Sequence, residues 1–232
     1  MNNEFLNMIN SPICKTNSIT RYSGTRQNCP EKLSEHILDV CMMSYYIARR
    51  LEKEGVMVDI GLLLQKGIIH DLDEVLIGDI PRMTKYSSPE CHNALKQLAS
   101  DTAYQMSLDI DGTEYTYNIW KDDKDDTLEG TILRVTDMLS VANKVIYEIE
   151  FLGNIGFFKI ATEIRSYLED VKEKVIKNLG QPNPVATSYL ISLIDDTSNV
   201  MNGLIKSYED KIKQYNIYDE FTDKIVRKRD KD

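Results

Sequence analysis

Residues 60–74, IGLLLQKGIIHDLDE, form the most apolar helical stretch of the chain. Apolar side chains recur almost all round the helix, which places it in the interior rather than on a surface. It ends in His70-Asp71, two ionisable groups where burial is expected. A carboxylate carried inside is costly unless it is paired or bound to a cation. The stretch VLIGDIP follows and breaks at Gly78 and Pro81.

Outward from this segment the pattern stays helical. Residues 31–54 place Leu33, Ile37, Val40, Cys41, Ser44, Tyr45, Ala48 and Leu51 on one face, with Pro30 suited to the first turn and Gly55 to the end. Asp59 is the expected cap of the apolar helix. Residues 89–107 and 127–151 read as helices, the second with Leu128, Ile132, Val135, Leu139, Ala142 and Ile146 inward. Two more follow at 156–179 and 185–215, separated by Pro182 and Pro184. The expected class is all-α, a helical bundle. One segment leaves a choice: TEYTYNIW, residues 113–120, alternates enough for a small β-hairpin around Asp111-Gly112 but is equally compatible with a helix. KDDKDD, residues 121–126, reads as a solvated loop or helix start, with an ion site as the lesser alternative, and lacks a calcium-loop ligand pattern. The charged tail, residues 224–232, is expected to fray.

The chain has 232 residues and a formal net charge of -9. That size suits one domain, expected to span 1–232, with the motif-bearing core at about 20–150 and C-terminal helices at 156–215. The acidity argues against nucleic acid as a partner, since a phosphate backbone needs a basic face. It leaves room for a small anion bound through local positive charge or a metal. Cys14, Cys29, Cys41 and Cys91 form no CxxC pair, so neither a zinc ribbon nor a disulfide framework is expected, and a cytoplasmic location is. No apolar run is long enough for a membrane span, and the N-terminus does not read as a signal peptide.

His36 lies beside Leu33, Ile37 and Val40, and Asp137 between Val135 and Leu139. With His70 and Asp71 they make four polar groups at the edges of apolar faces. Singly, each has an ordinary structural reading, as a hydrogen-bonded core histidine, a cap or an ion-pair partner. Together they could converge on a cation, because two imidazoles and two carboxylates suit a divalent transition metal with positions left for water and substrate.

The pattern H…HD…D resembles that of the HD-domain phosphohydrolases. The likeness extends to RY at 21–22, SEH at 34–36, HDLDEVLIGDIP at 70–81, KY at 85–86 and RVTDML at 134–139. This is similar to the bacterial HD-domain 5′-deoxynucleotidases, over roughly residues 20–150. The resemblance implies an HD-domain helical bundle. It implies His36, His70, Asp71 and Asp137 as ligands of one divalent ion, with Mn, Co, Zn, Mg, Fe and Ni all candidates. It implies Glu74 and Asp79 as the carboxylates that manage protons and the attacking water, Asp79 also lying next to phosphate and sugar. Glu74 shares the face of His70 and Asp71 at helical spacing. Arg21 would grip the phosphate, which a guanidinium does with two oxygens at once.

Tyr22 would pack on sugar or base. The family carries Trp there, a departure that puts the deoxyribose preference in doubt. Arg82 and Lys85 are further phosphate-contact candidates, and His92 matches no ligand position. The implied reaction is hydrolysis of a (deoxy)nucleoside 5′-monophosphate to nucleoside and phosphate. A dNTP triphosphohydrolase would use the same ligands with a larger phosphate site. A nucleotide-sensing domain without turnover is the reading from another class, and such proteins usually lose a ligand or catalytic carboxylate, whereas all are present here. Family members often pair as homodimers, and the resemblance extends that expectation to this chain.

Overall fold

The computed structural model describes residues 3–215, and the side chains of all of these except 82–83 and 210–215. The expected tail at 224–232 lies outside the described residues. The described chain is all-α. In order come α1 (Glu4–Asn10), a 3-10 helix (Pro12–Ser18), α2 (Leu33–Lys53), α3 (Ile60–Ile69), α4 (Glu74–Ile77), α5 (Arg82–Lys85) and α6 (Pro89–Asp111). α7 (Tyr115–Lys121), α8 (Leu128–Ile146), α9 (Phe158–Leu179) and α10 (Pro184–Tyr215) complete the sequence. A π-helical turn (Tyr147–Phe151) extends α8, and a 3-10 turn (Ile155–Phe157) leads into α9. No described helix is long and apolar enough to cross a membrane.

The hairpin alternative at 113–120 is overturned, and the segment is the helix α7. Gly112 ends α6 with φ 69°, a left-handed conformation that glycine adopts without a Cβ penalty. Asp111 then accepts hydrogen bonds from Thr113 N at 2.7 Å and from the Thr113 and Thr116 hydroxyls at 2.6 and 2.8 Å. These bonds organise the first turn of α7 locally and leave no extended strand to pair.

α2 begins with a cap in which Lys32 N donates to the Glu35 carboxylate at 2.7 Å. Its buried stripe is Leu33, His36, Val40, Ser44, Ile47, Ala48 and Leu51. Tyr45, expected inward, is exposed, and Ile47 takes the inward place. The stripe follows the side of α2 that α3 and α8 cover. α3 is capped by the Asp59 carboxylate, which accepts from Leu62 N at 2.9 Å. Gly67 lets α3 approach α2 closely: a methyl there would meet Cys41 Sγ at 3.0 Å.

Two apolar clusters result. The larger draws on α2, α3, α8, α9 and α10, with Val40, Leu63, Leu133, Phe157, Leu168 and Leu190 fully buried. Each such side chain contributes about 1.5–3 kcal/mol. The smaller contains Leu33, Ile69, Leu72, Val75 and Met106. His36 sits between Leu33 of one cluster and Val40 of the other. Polar groups on facing helices thus meet at a seam between two dry regions, and a buried Ser44–Thr136 hydrogen bond of 2.8 Å ties α2 to α8 beside it.

Candidate metal centre and active site

His36 comes from the second turn of α2, His70 and Asp71 from the turn that ends α3, and Asp137 from the middle of α8. The α3 helix stops at Ile69, so His70 and Asp71 lie on turn backbone and both reach one point. His36 Nε2 is 3.3 Å from His70 Nε2, 3.5 Å from Asp71 Oδ2 and 3.2 Å from Asp137 Oδ1. His70 Nε2 is 3.1 Å from Asp71 Oδ2 and 4.0 Å from Asp137 Oδ1. Donors about 2.0–2.2 Å from one cation would lie about 2.8–3.6 Å apart at right or tetrahedral angles, and farther when opposed. The spacing of His36, His70 and Asp71 therefore fits a single divalent ion, and Asp137 borders that group on the His36 side.

The outward ring nitrogens support this. His70 Nδ1–H donates to Gly67 O at 2.8 Å, which leaves the neutral ring's Nε2 lone pair facing the centre. His36 Nδ1 is 3.0 Å from Ser140 Oγ. His36 Nε2 and His70 Nε2 can share one proton in a hydrogen bond, whereas two lone pairs facing each other there need a cation between them. Burial opposes the charged form of His70, and the Asp71 carboxylate outweighs it, so the His70 pKa is raised. Burial likewise works against ionised Asp71 and Asp137. The adjacent histidines win for Asp71 and Lys124 wins for Asp137, and both carboxyls are held well below the usual range.

Glu74 opens α4 and is buried beside this group. Its Oε1 accepts from Lys85 Nζ at 3.3 Å, and its Oε2 is buried without a partner. Burial first, then the Asp71 charge, push its pKa up to about 8. A carboxyl in that range can hold or release a proton near neutrality. Asp73, in the same turn, is engaged elsewhere by Trp120 Nε1–H at 3.1 Å.

Arg21 and Tyr22 lie on a loop closed by an antiparallel bridge between Thr20 and Lys32. Arg21 Nη1 donates to Glu31 at 3.0 Å, and its Nε is buried without a partner. Tyr22 has φ 57°, rare for a side-chain-bearing residue. That conformation aims its N–H at Asp79 Oδ2, 2.5 Å away. The Tyr22 ring packs against Phe157 with centroids 5.3 Å apart, and its hydroxyl is buried without a partner. Asp79 follows Gly78, whose φ of 77° turns the chain out of α4, and its carbonyl accepts from Ser23 Oγ at 3.0 Å. The side chain of Arg82 lies outside the described residues. His92 stacks on Tyr86 at 4.9 Å and joins no ligand group.

Sequence reasoning missed Lys124. Read as part of a solvated loop, it reaches Asp137 Oδ2 at 2.6 Å. The only signal available was a lysine inside an acidic run a few turns ahead of Asp137.

The model of the family described as YfbR-like 5′-deoxynucleotidases matches residues 5–181. The chain belongs to this family. YfbR-like membership makes it a hydrolase of the HD-domain phosphohydrolase type. The 5′-deoxynucleotidases YfbR of Salmonella newport and Salmonella enteritidis are each 26% identical over 159 residues, 65% of this chain and 77% of theirs. Solved structures share the YfbR-like chain's fold. An HD-domain phosphohydrolase from Listeria innocua gives a TM-score of 0.62 at 21% identity, over 85% of this chain and 98% of that one. A conserved hypothetical protein from Pyrococcus furiosus gives 0.62 at 24%, over 84% and 99%.

Proposed function

We propose that the chain hydrolyses the phosphate ester of (deoxy)nucleoside 5′-monophosphates with one divalent metal held by His36, His70, Asp71 and Asp137. The observation that carries this reading is the grouping of His36, His70 and Asp71 at 3.1–3.5 Å, with Asp137 Oδ1 3.2 Å from His36 Nε2 and 4.0 Å from His70 Nε2 and both imidazoles oriented through their outer nitrogens. A divalent cation there supplies positive charge to a phosphate oxygen and acidity to a water. The remaining work falls to this chain's own side chains. Arg21, braced by Glu31, binds phosphate oxygens through its guanidinium. Glu74, poised near neutral pH, holds the proton that the attacking water gives up. Asp79, fixed by Tyr22 N–H, faces the leaving sugar oxygen and sets substrate orientation. Tyr22, Lys85 and Arg82 are assigned to the substrate side of the pocket. We extend the reading to one HD domain working as a homodimer in the cytoplasm, on the family pattern and the four unpaired cysteines.

The test is a panel of nucleoside mono- and triphosphates assayed with Mn, Co, Mg and Zn, read by product identity. Inorganic phosphate and nucleoside from monophosphates support the proposal. Tripolyphosphate release from triphosphates replaces it with the triphosphohydrolase reading, and no release under any metal overturns both. Asp71→Ala is expected to abolish both turnover and metal-induced thermal stabilisation. For wild type that stabilisation is about 2.7 kcal/mol at a hundredfold excess over Kd.

A further inference from the structure

Residues 122–126 are a strongly acidic segment that would ordinarily stay in solvent, yet this one is fastened down. Lys66, buried on α3, donates to Asp122 O at 2.6 Å and pairs with Asp125 at 2.8 Å. Arg134, from α8, donates to Lys124 O. Asp125 accepts from Thr127 N at 3.2 Å and packs against Gly130. Cationic side chains from two different helices thus fix the backbone on either side of Lys124 and leave its side chain aimed inward.

The two oxygens of Asp137 are divided. Oδ1 faces the His36 nitrogen at 3.2 Å, and Oδ2 takes the Lys124 ammonium at 2.6 Å. The other described cations of the pocket have carboxylates outside the ligand group: Glu31 for Arg21 and Glu74 for Lys85. Lys124 differs, because its partner is one of the four proposed ligands. A carboxylate that shares its charge with a divalent ion neutralises a neighbouring ammonium less, and the remaining N–H groups of Lys124 then keep positive charge beside the site.

We propose that Lys124 is a phosphate-binding residue of this pocket. This deepens the reading of the site as a metal-bearing phosphohydrolase centre and rests on it. The ammonium keeps one hydrogen bond to Asp137 and offers its other two protons to the substrate's phosphate oxygens. The loop's anchors belong to Lys66 and Arg134, so substituting Lys124 leaves the loop in place.

The experiment measures manganese binding, and then inorganic phosphate binding to manganese-loaded protein, by titration calorimetry on the full chain. Wild type is compared with Lys124→Ala, Lys124→Gln and Lys124→Arg. Alanine and glutamine are expected to weaken phosphate by about tenfold to a hundredfold while manganese stays within about threefold, and arginine to restore most of the loss. Unchanged phosphate affinity in both neutral variants overturns the proposal. So does a collapse of manganese affinity that carries phosphate with it, since Lys124 would then act only by orienting Asp137. Wild-type protein that binds no manganese overturns the reading of the whole site, a failure distinct from that of Lys124 alone.

Discussion

Glu74 can be separated experimentally from the four converging donors. Its Oε2 is buried and unpartnered, and it touches Lys85 rather than the imidazoles. Glu74→Gln is therefore expected to keep metal affinity by calorimetry and to lower kcat by about 10²–10⁴-fold, the usual cost of losing a positioned base. Equal turnover in the variant would remove Glu74 from the reaction. The grouping of His36, His70, Asp71 and Asp137 was legible chiefly through the resemblance carried by SEH, HDLDEVLIGDIP and RVTDML; their places beside Leu33, Val40, Ile69 and Val135 alone left each with an ordinary structural reading. Lys124 was not legible. A lysine among aspartates is usually solvated, and its direction is set by Lys66 and Arg134, which only the folded chain brings beneath it.

At the level of elements, the 122–126 loop is held where α8 begins. A methyl on Gly130 would meet the backbone nitrogen and oxygen of Asp125 at 2.7 Å, and backbone cannot swing aside as a side-chain tip can. Gly130→Ala should cost about 1–3 kcal/mol in urea unfolding and raise hydrogen exchange at residues 122–126. Wild-type exchange in the variant would show that the loop does not depend on this contact. Helix identities were legible wherever an apolar stripe ran for several turns, as in α2, α8 and α9. The short elements were not. Alternation in TEYTYNIW fits strand or helix until the Asp111 cap decides, and nothing local announces the π-helical turn at Tyr147–Phe151. That turn carries Glu148 inward, against a loop more than a hundred residues earlier.

Across the whole molecule, Glu148 is the staple that fixes the loop bearing Arg21 and Tyr22. Its two oxygens accept Asn28 N and Cys29 N at 3.0 Å each, and Lys144 and Asn154 at 2.8 Å. Burial opposes its ionised form, but the Lys144 hydrogen bond and the others outweigh it, bringing the pKa from 4.5 to about 2. The sign follows: its stabilisation is complete above about pH 4.5 and is lost as pH falls towards 2. Glu148→Gln leaves Lys144 with the Cys29 carbonyl but no charge partner and should cost about 3–5 kcal/mol near neutrality. The gap between variant and wild-type melting temperatures should close on acidification, and a gap independent of pH would assign the effect to packing. The pairing of Arg21 with Glu31, Lys85 with Glu74 and Lys124 with Asp137 has a kinetic corollary. At long range these pairs cancel, and a dianion approaching the metal-loaded chain meets a net charge of about -7, the protein's -9 and the ion's +2. Capture is then unassisted by long-range attraction, so added salt should speed it. Between about 0.05 and 0.3 M salt, kcat/KM is expected to rise by about two- to threefold, where an electrostatically steered enzyme would slow.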